Sequence, residues 1–250
     1  MRLVSDLRIL YRLTCTRVRG GSHQERLEAF YRHQATGYDD FRKRLLYGRE
    51  EMMRALEIPA GGTLLDMGGG TGSNIEALAD RLPGLGAVTI VDLCPSLLET
   101  ARKRIADRGW TNVTTELADV TTFQPEGGLV DAITFSYSLT MIPDWFRALE
   151  QAYHLLRPGG RIGVVDFYVS RKWPALGLRR HGGFTRTFWP TWFGFDNVYP
   201  SPDHLPWLQS RFETLRLDER AGRVPYLLGM KAPYYIYLGQ KKETDSPPES

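Results

Sequence analysis

At 250 residues, 42% hydrophobic and 24% charged, the chain is long enough to bury one sizeable core, which excludes a disordered or collagen-like protein. Lys+Arg 32 against Asp+Glu 29 leaves a formal charge of +3, too balanced for a dedicated nucleic-acid binder. Cys15 and Cys94 stand far apart with no CxxC or His/Cys spacing, so no disulfide framework and no metal site is suggested, and a reducing compartment is expected.

In chain order, Leu3, Val4, Leu7, Leu10, Tyr11 and Thr14 share one helical stripe within residues 1–18, with Arg2, Arg8, Arg12, Arg17 and Arg19 spread around it. Such a segment reads either as an interfacial helix on an anionic membrane or as an amphipathic helix packed on the body. Arg8 and Arg12 interrupt the one stretch that could serve as a signal-peptide core, and Asp6 argues against a transit peptide. No run approaches the roughly 18 to 20 apolar residues of a spanning helix. A cytoplasmic protein, at most peripheral on the inner face of a membrane, is the expectation.

After Gly20-Gly21-Ser22 the pattern is helical over roughly 24–34 and 39–57, which makes residues 1–57 a helical cap with possible membrane-contact and substrate-lid roles. From Thr63 short apolar runs alternate with helical patterns. Strands are expected over 63–66, 87–92, 113–117, 131–136 and 161–167, and helices over 73–81, 96–107 and 145–156. That alternation signals βαβ units, an α/β fold whose parallel sheet carries helices on both faces and binds ligands beyond the carboxyl ends of its strands. The core spans 58–241. An aromatic and basic insertion occupies 170–210, two last strands are expected over 212–217 and 234–238, and 242–250 reads as a disordered tail.

Between the first expected strand and helix runs Leu64-Leu65-Asp66-Met67-Gly68-Gly69-Gly70-Thr71-Gly72-Ser73-Asn74. A nicotinamide fingerprint GxGxxG fails here, because its third position falls on Ser73 or Ile75. The pattern that fits is D-x-G-x-G-x-G. Its acid would repel a pyrophosphate but suits an ammonium, so the expected ligand carries an amine and a carboxylate together, as S-adenosylmethionine does. The segment resembles motif I of the class I methyltransferases, and Asp92, Asp119-Val120 and Leu155-Leu156-Arg157-Pro158-Gly159-Gly160 follow in the order of that family's later motifs.

This resemblance implies a Rossmann-like, mostly parallel seven-stranded sheet with Tyr234–Leu238 antiparallel at the edge. It implies S-adenosylmethionine as cofactor, held by Tyr38, Asp66, Gly68, Gly70, Gly72, Asn74, Asp92, Leu93, Asp119, Val120 and Ser136. Pro158-Gly159-Gly160 and Asp131 read as structural.

Residues 30–49, Phe188-Trp189-Pro190-Thr191-Trp192-Phe193-Gly194 with Asp196, and Val224–Gly229 with Pro233-Tyr234-Tyr235 are similar to the betaine-lipid N-methyltransferases, which trimethylate diacylglyceryl-homoserine. What this implies is successive N-methylation of a lipid amine at a membrane surface. Tyr38 and Tyr137 would act as lid and acceptor-side residues in catalysis. Arg42, Arg44, Arg49, Arg186 and Trp189 would hold the head group, arginine because its fork matches a carboxylate and tryptophan because its face attracts a quaternary ammonium. A separate aminocarboxypropyl transferase acting upstream is implied, since 250 residues leave no room for that domain. Other acceptors remain open: phosphatidylethanolamine, a quinone precursor, or none, in a noncatalytic cofactor-binding membrane-docking module. Basic residues among Trp173, Trp189 and Trp192 suit a bilayer headgroup region better than RNA, for which no signature accompanies them.

Overall fold

A computed structural model describes Glu28 and residues 45–224, 227 and 229–243. The stripe over 1–18, Tyr38, Arg42, Arg44 and the tail beyond Glu243 lie outside the described residues. After α1 (Arg49–Ala55) and β1 (Thr63–Met67) come β2 (Ala87–Asp92), α2 (Pro95–Arg108), β3 (Val113–Leu117), β4 (Val130–Ser136), α3 (Trp145–Leu155), β5 (Leu156–Phe167), α4 (Gly183–Gly194), α5 (His204–Arg211), β6 (Glu213–Arg223) and β7 (Lys231–Gln240).

The seven strands form one sheet in the order β3-β2-β1-β4-β5-β7-β6. β1 pairs in parallel with β2 and β4, β2 with β3, and β4 with β5, whereas β7 runs antiparallel to both β5 and β6. This is the expected α/β, Rossmann-like architecture.

The antiparallel strand is not at the edge, however. Ala232 to Gly239 are buried one after another, as befits a strand covered on both faces and paired on both sides. β6, which carries Arg216, Asp218, Glu219 and Arg220, is the edge, where charged side chains keep the open hydrogen-bonding groups from pairing with another chain.

Side chains alternate between two cores across the sheet. Leu64, Ile90, Val165 and Ile236 pack with Met52 and Met53 of α1 on one face, and Leu65, Val91, Val164 and Tyr235 pack with Leu149 of α3 on the other. The insertion joins both: Trp189 and Phe193 of α4 enter the first core, Leu205 and Leu208 of α5 the second. The helix expected over 73–81 is instead a tight 3-10 turn, Ile75–Leu78. Its bonds reach only the third residue back, as from Ala77 N to Asn74 O, and Pro83 lacks the donor that would carry it on.

Candidate functional site

The site lies where β1, β2 and β4 end. Gly68 has a φ of 69°, and a Cβ there would stand 2.5 Å from that of Ser138, so only glycine lets the turn pass beneath the loop after β4. Ser138 in turn donates its hydroxyl to Met67 O at 3.0 Å. The turn is tied to the second strand as well, with Gly68 N and Gly69 N both donating to Val91 O. Asp92, only 8% exposed, accepts from Gly70 N through one carboxylate oxygen and from Cys94 N through the other, each at 2.9 Å.

Around this turn opens a cavity of about 320 Å³, within the range of small-ligand pockets. Of the expected residues, Gly68, Gly70, Asp92, Leu93, Asp119, Val120 and Tyr137 line it. Asp119 accepts from Thr121 N and Oγ1, which fixes its carboxylate at the rim. Ser138, Met141, Ile142, Pro143 and Asp144 stand in the wall as well. They carry no motif, and the only signal for them was their place in a loop after a strand's carboxyl end.

Other expected residues stand elsewhere. Gly72 does not line the cavity; a Cβ on it would meet Ile90 Cδ1 at 2.8 Å, so this glycine serves packing against β2. Asp66 is fully buried beneath the turn, accepting from Thr134 Oγ1 at 2.8 Å and Asn74 Nδ2 at 3.1 Å. Asn74 Oδ1 receives Ser136 Oγ at 3.3 Å. These three form the foundation of the loop and are absent from the cavity wall.

Arg49 also stands beside the glycine turn. Its Nε donates to Asn74 Oδ1 at 2.8 Å and its Nη2 to Ser73 Oγ at 2.7 Å, so the guanidinium braces the segment that follows the glycine turn. It lines a second, open and polar cavity of about 1000 Å³ with Ser73, Asn74 and Arg54. Trp189, at 2% exposure, is packed in the core and stacked on Phe193 at 5.4 Å. Arg186, one turn earlier on α4, is half-buried and does not line the cofactor cavity.

Tyr137 follows β4 with φ 55°, a conformation a non-glycine side chain adopts only when its surroundings hold it there. Its ring packs edge-on against Phe167, centroids 4.7 Å apart, and its hydroxyl donates to Tyr47 O at 2.8 Å. Burial, reinforced by the nearby Asp166 charge, drives its pKa well up, so the phenol stays protonated and is a hydrogen-bond donor, not a proton acceptor. Asp166, fully buried at the end of β5, accepts from Thr140 Oγ1 at 2.7 Å, Thr140 N at 3.1 Å and Phe167 N at 2.8 Å. Desolvation nevertheless pushes its carboxyl up to about 7.

A glycine turn packed close under a cavity, a carboxylate ending the second strand and another after the third form the arrangement that the resemblance to class I methyltransferases implies, and they suit S-adenosylmethionine as cofactor. Residues 64–160 match the family described as "Methyltransferase domain". A ubiquinone/menaquinone biosynthesis C-methyltransferase of Hydrogenovibrio crunogenus is 31% identical over 111 residues, covering 44% of each chain. Over several such relatives the match spans about half of the relative's length. The demethylmenaquinone methyltransferase of Anoxybacillus flavithermus is 24% identical over 89% of this chain and 98% of its own. Among solved structures, a SAM-dependent methyltransferase from Aquifex aeolicus superimposes with a TM-score of 0.57 at 16% identity, over 82% of this chain and 97% of that one.

The cofactor fits the residues present. The carboxylates of Asp92 and Asp119 line the cavity with Val120, and the turn at Gly68 and Gly70 leaves room for a ligand to come close to the backbone. Among the described residues no helix is long and apolar enough to cross a membrane.

Proposed function

We propose that the protein transfers methyl groups from S-adenosylmethionine to the amine of a diacylglyceryl-homoserine lipid, in successive steps that end in the trimethylated betaine. The observation that carries this reading is the charge of the cavity. Its described lining includes Asp92, Asp119 and Asp144 and no lysine, arginine or histidine. Such a wall favours a cationic cofactor beside a cationic acceptor and product, and opposes a phenolate-like nucleophile.

S-adenosylmethionine supplies an activated methyl on a sulfonium centre. The protein's part is to align a neutral amine with it and to keep water out. Met141, Ile142 and Pro143 give that side of the cavity an apolar wall, and Tyr137 stands in the same lining. Before each transfer the ammonium must release a proton; Asp144, exposed at the rim, is a carboxylate positioned to pass it to solvent. A reaction that attaches an aminocarboxypropyl group to diacylglycerol must precede this one.

The second reading is C-methylation of a quinone precursor, favoured by the near full-length likeness to the Anoxybacillus demethylmenaquinone methyltransferase. Mass spectrometry separates the two. The protein is incubated with S-adenosylmethionine and either diacylglyceryl-homoserine in mixed micelles or a demethylated quinone. Gains of one, two and three methyl groups on the amine lipid are expected; a single gain on the quinone and none on the lipid would establish the second reading.

A further inference from the structure

The five most exposed large apolar side chains among the described residues are Leu176 at 103%, Trp173 at 69%, Phe184 at 68%, Phe195 at 63% and Tyr199 at 60%, all within one stretch of 27 residues. Apolar groups concentrated in this way mark a surface that meets something other than water. Residues 171–195 also contain five basic side chains and not one acid. Arg171 is paired with Asp203 of the neighbouring helix start, while Arg180 and Lys172 lie over the Trp173 ring at 4.5 and 5.6 Å from its centroid.

α4 gives this surface its direction. Phe184, Phe188 and Trp192 recur every fourth residue and stack in file, Phe184 on Phe188 at 5.1 Å and Phe188 on Trp192 at 5.9 Å. From there the aromatic contacts turn inward. Phe188 meets Trp189, Trp189 meets Phe193, Phe193 stacks on Phe167 at 4.3 Å, and Phe167 touches Tyr137 in the cofactor cavity wall. The file thus leaves Phe184 in solvent, packs Phe188 and Trp192 against the first core, and reaches the cavity wall only through Phe167 and Tyr137.

We propose that α4 and the Trp173 loop form a docking surface for an anionic lipid bilayer, placing the aromatic file in the headgroup region and Lys172 and Arg180 against lipid phosphates. Tryptophan and phenylalanine settle at that boundary, where one part of the ring is apolar and the rest wet, and each basic residue near an anionic surface adds attraction. Charge complementarity selects this occupant: a basic, aromatic segment with no acid of its own, in which Lys172 and Arg180 lie over the Trp173 ring, matches an anionic bilayer. The inference draws its purpose from the lipid reading above, but vesicle binding needs neither cofactor nor acceptor.

The test uses the whole chain, sedimented with phosphatidylcholine vesicles with and without about 30% phosphatidylglycerol. Binding to the anionic vesicles, weakened by salt, is expected. Trp173→Ser with Phe184→Ser, and Lys172→Glu with Arg180→Glu, are each expected to weaken it at least about tenfold while cofactor affinity holds. Wild-type affinity in both double variants would overturn the proposal, as would loss of binding only on deletion of residues 1–18. So would a dimer that the serine variant converts to monomer without any change in vesicle binding, since a second copy would then cover the surface. Vesicle binding without methyl gain on the amine lipid would sink the acceptor reading alone; methyl gain without vesicle binding would sink the docking surface alone.

Discussion

Asp92 and Gly70 are joined by a hydrogen bond of 2.9 Å from the glycine N–H to the carboxylate, so the acid that ends the second strand also holds the middle of the glycine turn. Its other oxygen receives Cys94 N at the entry to α2. One side chain thus fixes the turn, starts the helix and stands in the cavity wall.

Asp92→Ala is expected to raise the dissociation constant for S-adenosylmethionine by at least about thirtyfold, because it removes a ligand contact and leaves two buried N–H donors unpaired. Isothermal titration checks this. Asp92→Asn, which can still accept from one of those N–H groups, should lose less. An alanine variant that binds cofactor normally would show that the ribose site lies elsewhere.

Gly68→Ala should destabilise the fold by about 2–4 kcal/mol, adding a left-handed side chain to an overlap with Ser138. The overlap is with the serine Cβ at 2.5 Å, so Ser138→Gly in the same chain removes it and leaves the backbone strain and the lost hydroxyl bond to Met67 O. Denaturant unfolding of the single and double variants should therefore show partial recovery in the double. Additive losses would mean that the two residues do not oppose each other.

Arg49→Ala separates the role expected for this residue from the one its contacts define. Losing the bonds to Asn74 and Ser73 slackens the glycine turn, so the KM for S-adenosylmethionine should rise about tenfold or more while the KM for the acceptor changes little. Steady-state kinetics with each substrate varied in turn decides it. A rise confined to the acceptor would return Arg49 to the head group.

These contacts also explain what could be read from the chain before its fold was known. The alternation of strands and helices, and the acids after β2 and β3, are local patterns, and they sit where the residues themselves announce them. Arg49 meets Asn74 across 25 positions, a pairing no local pattern carries. The order of β6 and β7 depends on which strand is covered on both faces, a property of the assembled sheet. In α4, Phe184 and Trp189 are five residues apart and equally aromatic, yet one is 68% exposed and the other 2%. Composition recognised the segment as unusual; only packing sorted its rings into core and surface.

Asp166 gives the protein a pH dependence of stability with a definite sign. Its folded pKa of about 7 lies above the value near 3.9 that it takes in the unfolded chain, so between those values the folded state binds the extra proton. Stability is therefore greatest at the acid end of that window and falls as pH rises toward 7, by at most about 1.4 kcal/mol per pH unit from this group. The carboxyl anchors Thr140, whose carbonyl receives Tyr199 N at 2.7 Å, so the change is felt in the cavity wall and in the segment after α4 together. Asp166→Asn keeps the shape and an acceptor for Thr140 N but cannot titrate. Unfolding free energies measured between pH 5 and 8 should fall less steeply in this variant than in the wild type. Parallel slopes in the two proteins would assign the dependence to other groups and leave Asp166 ionised throughout, held by its three donors.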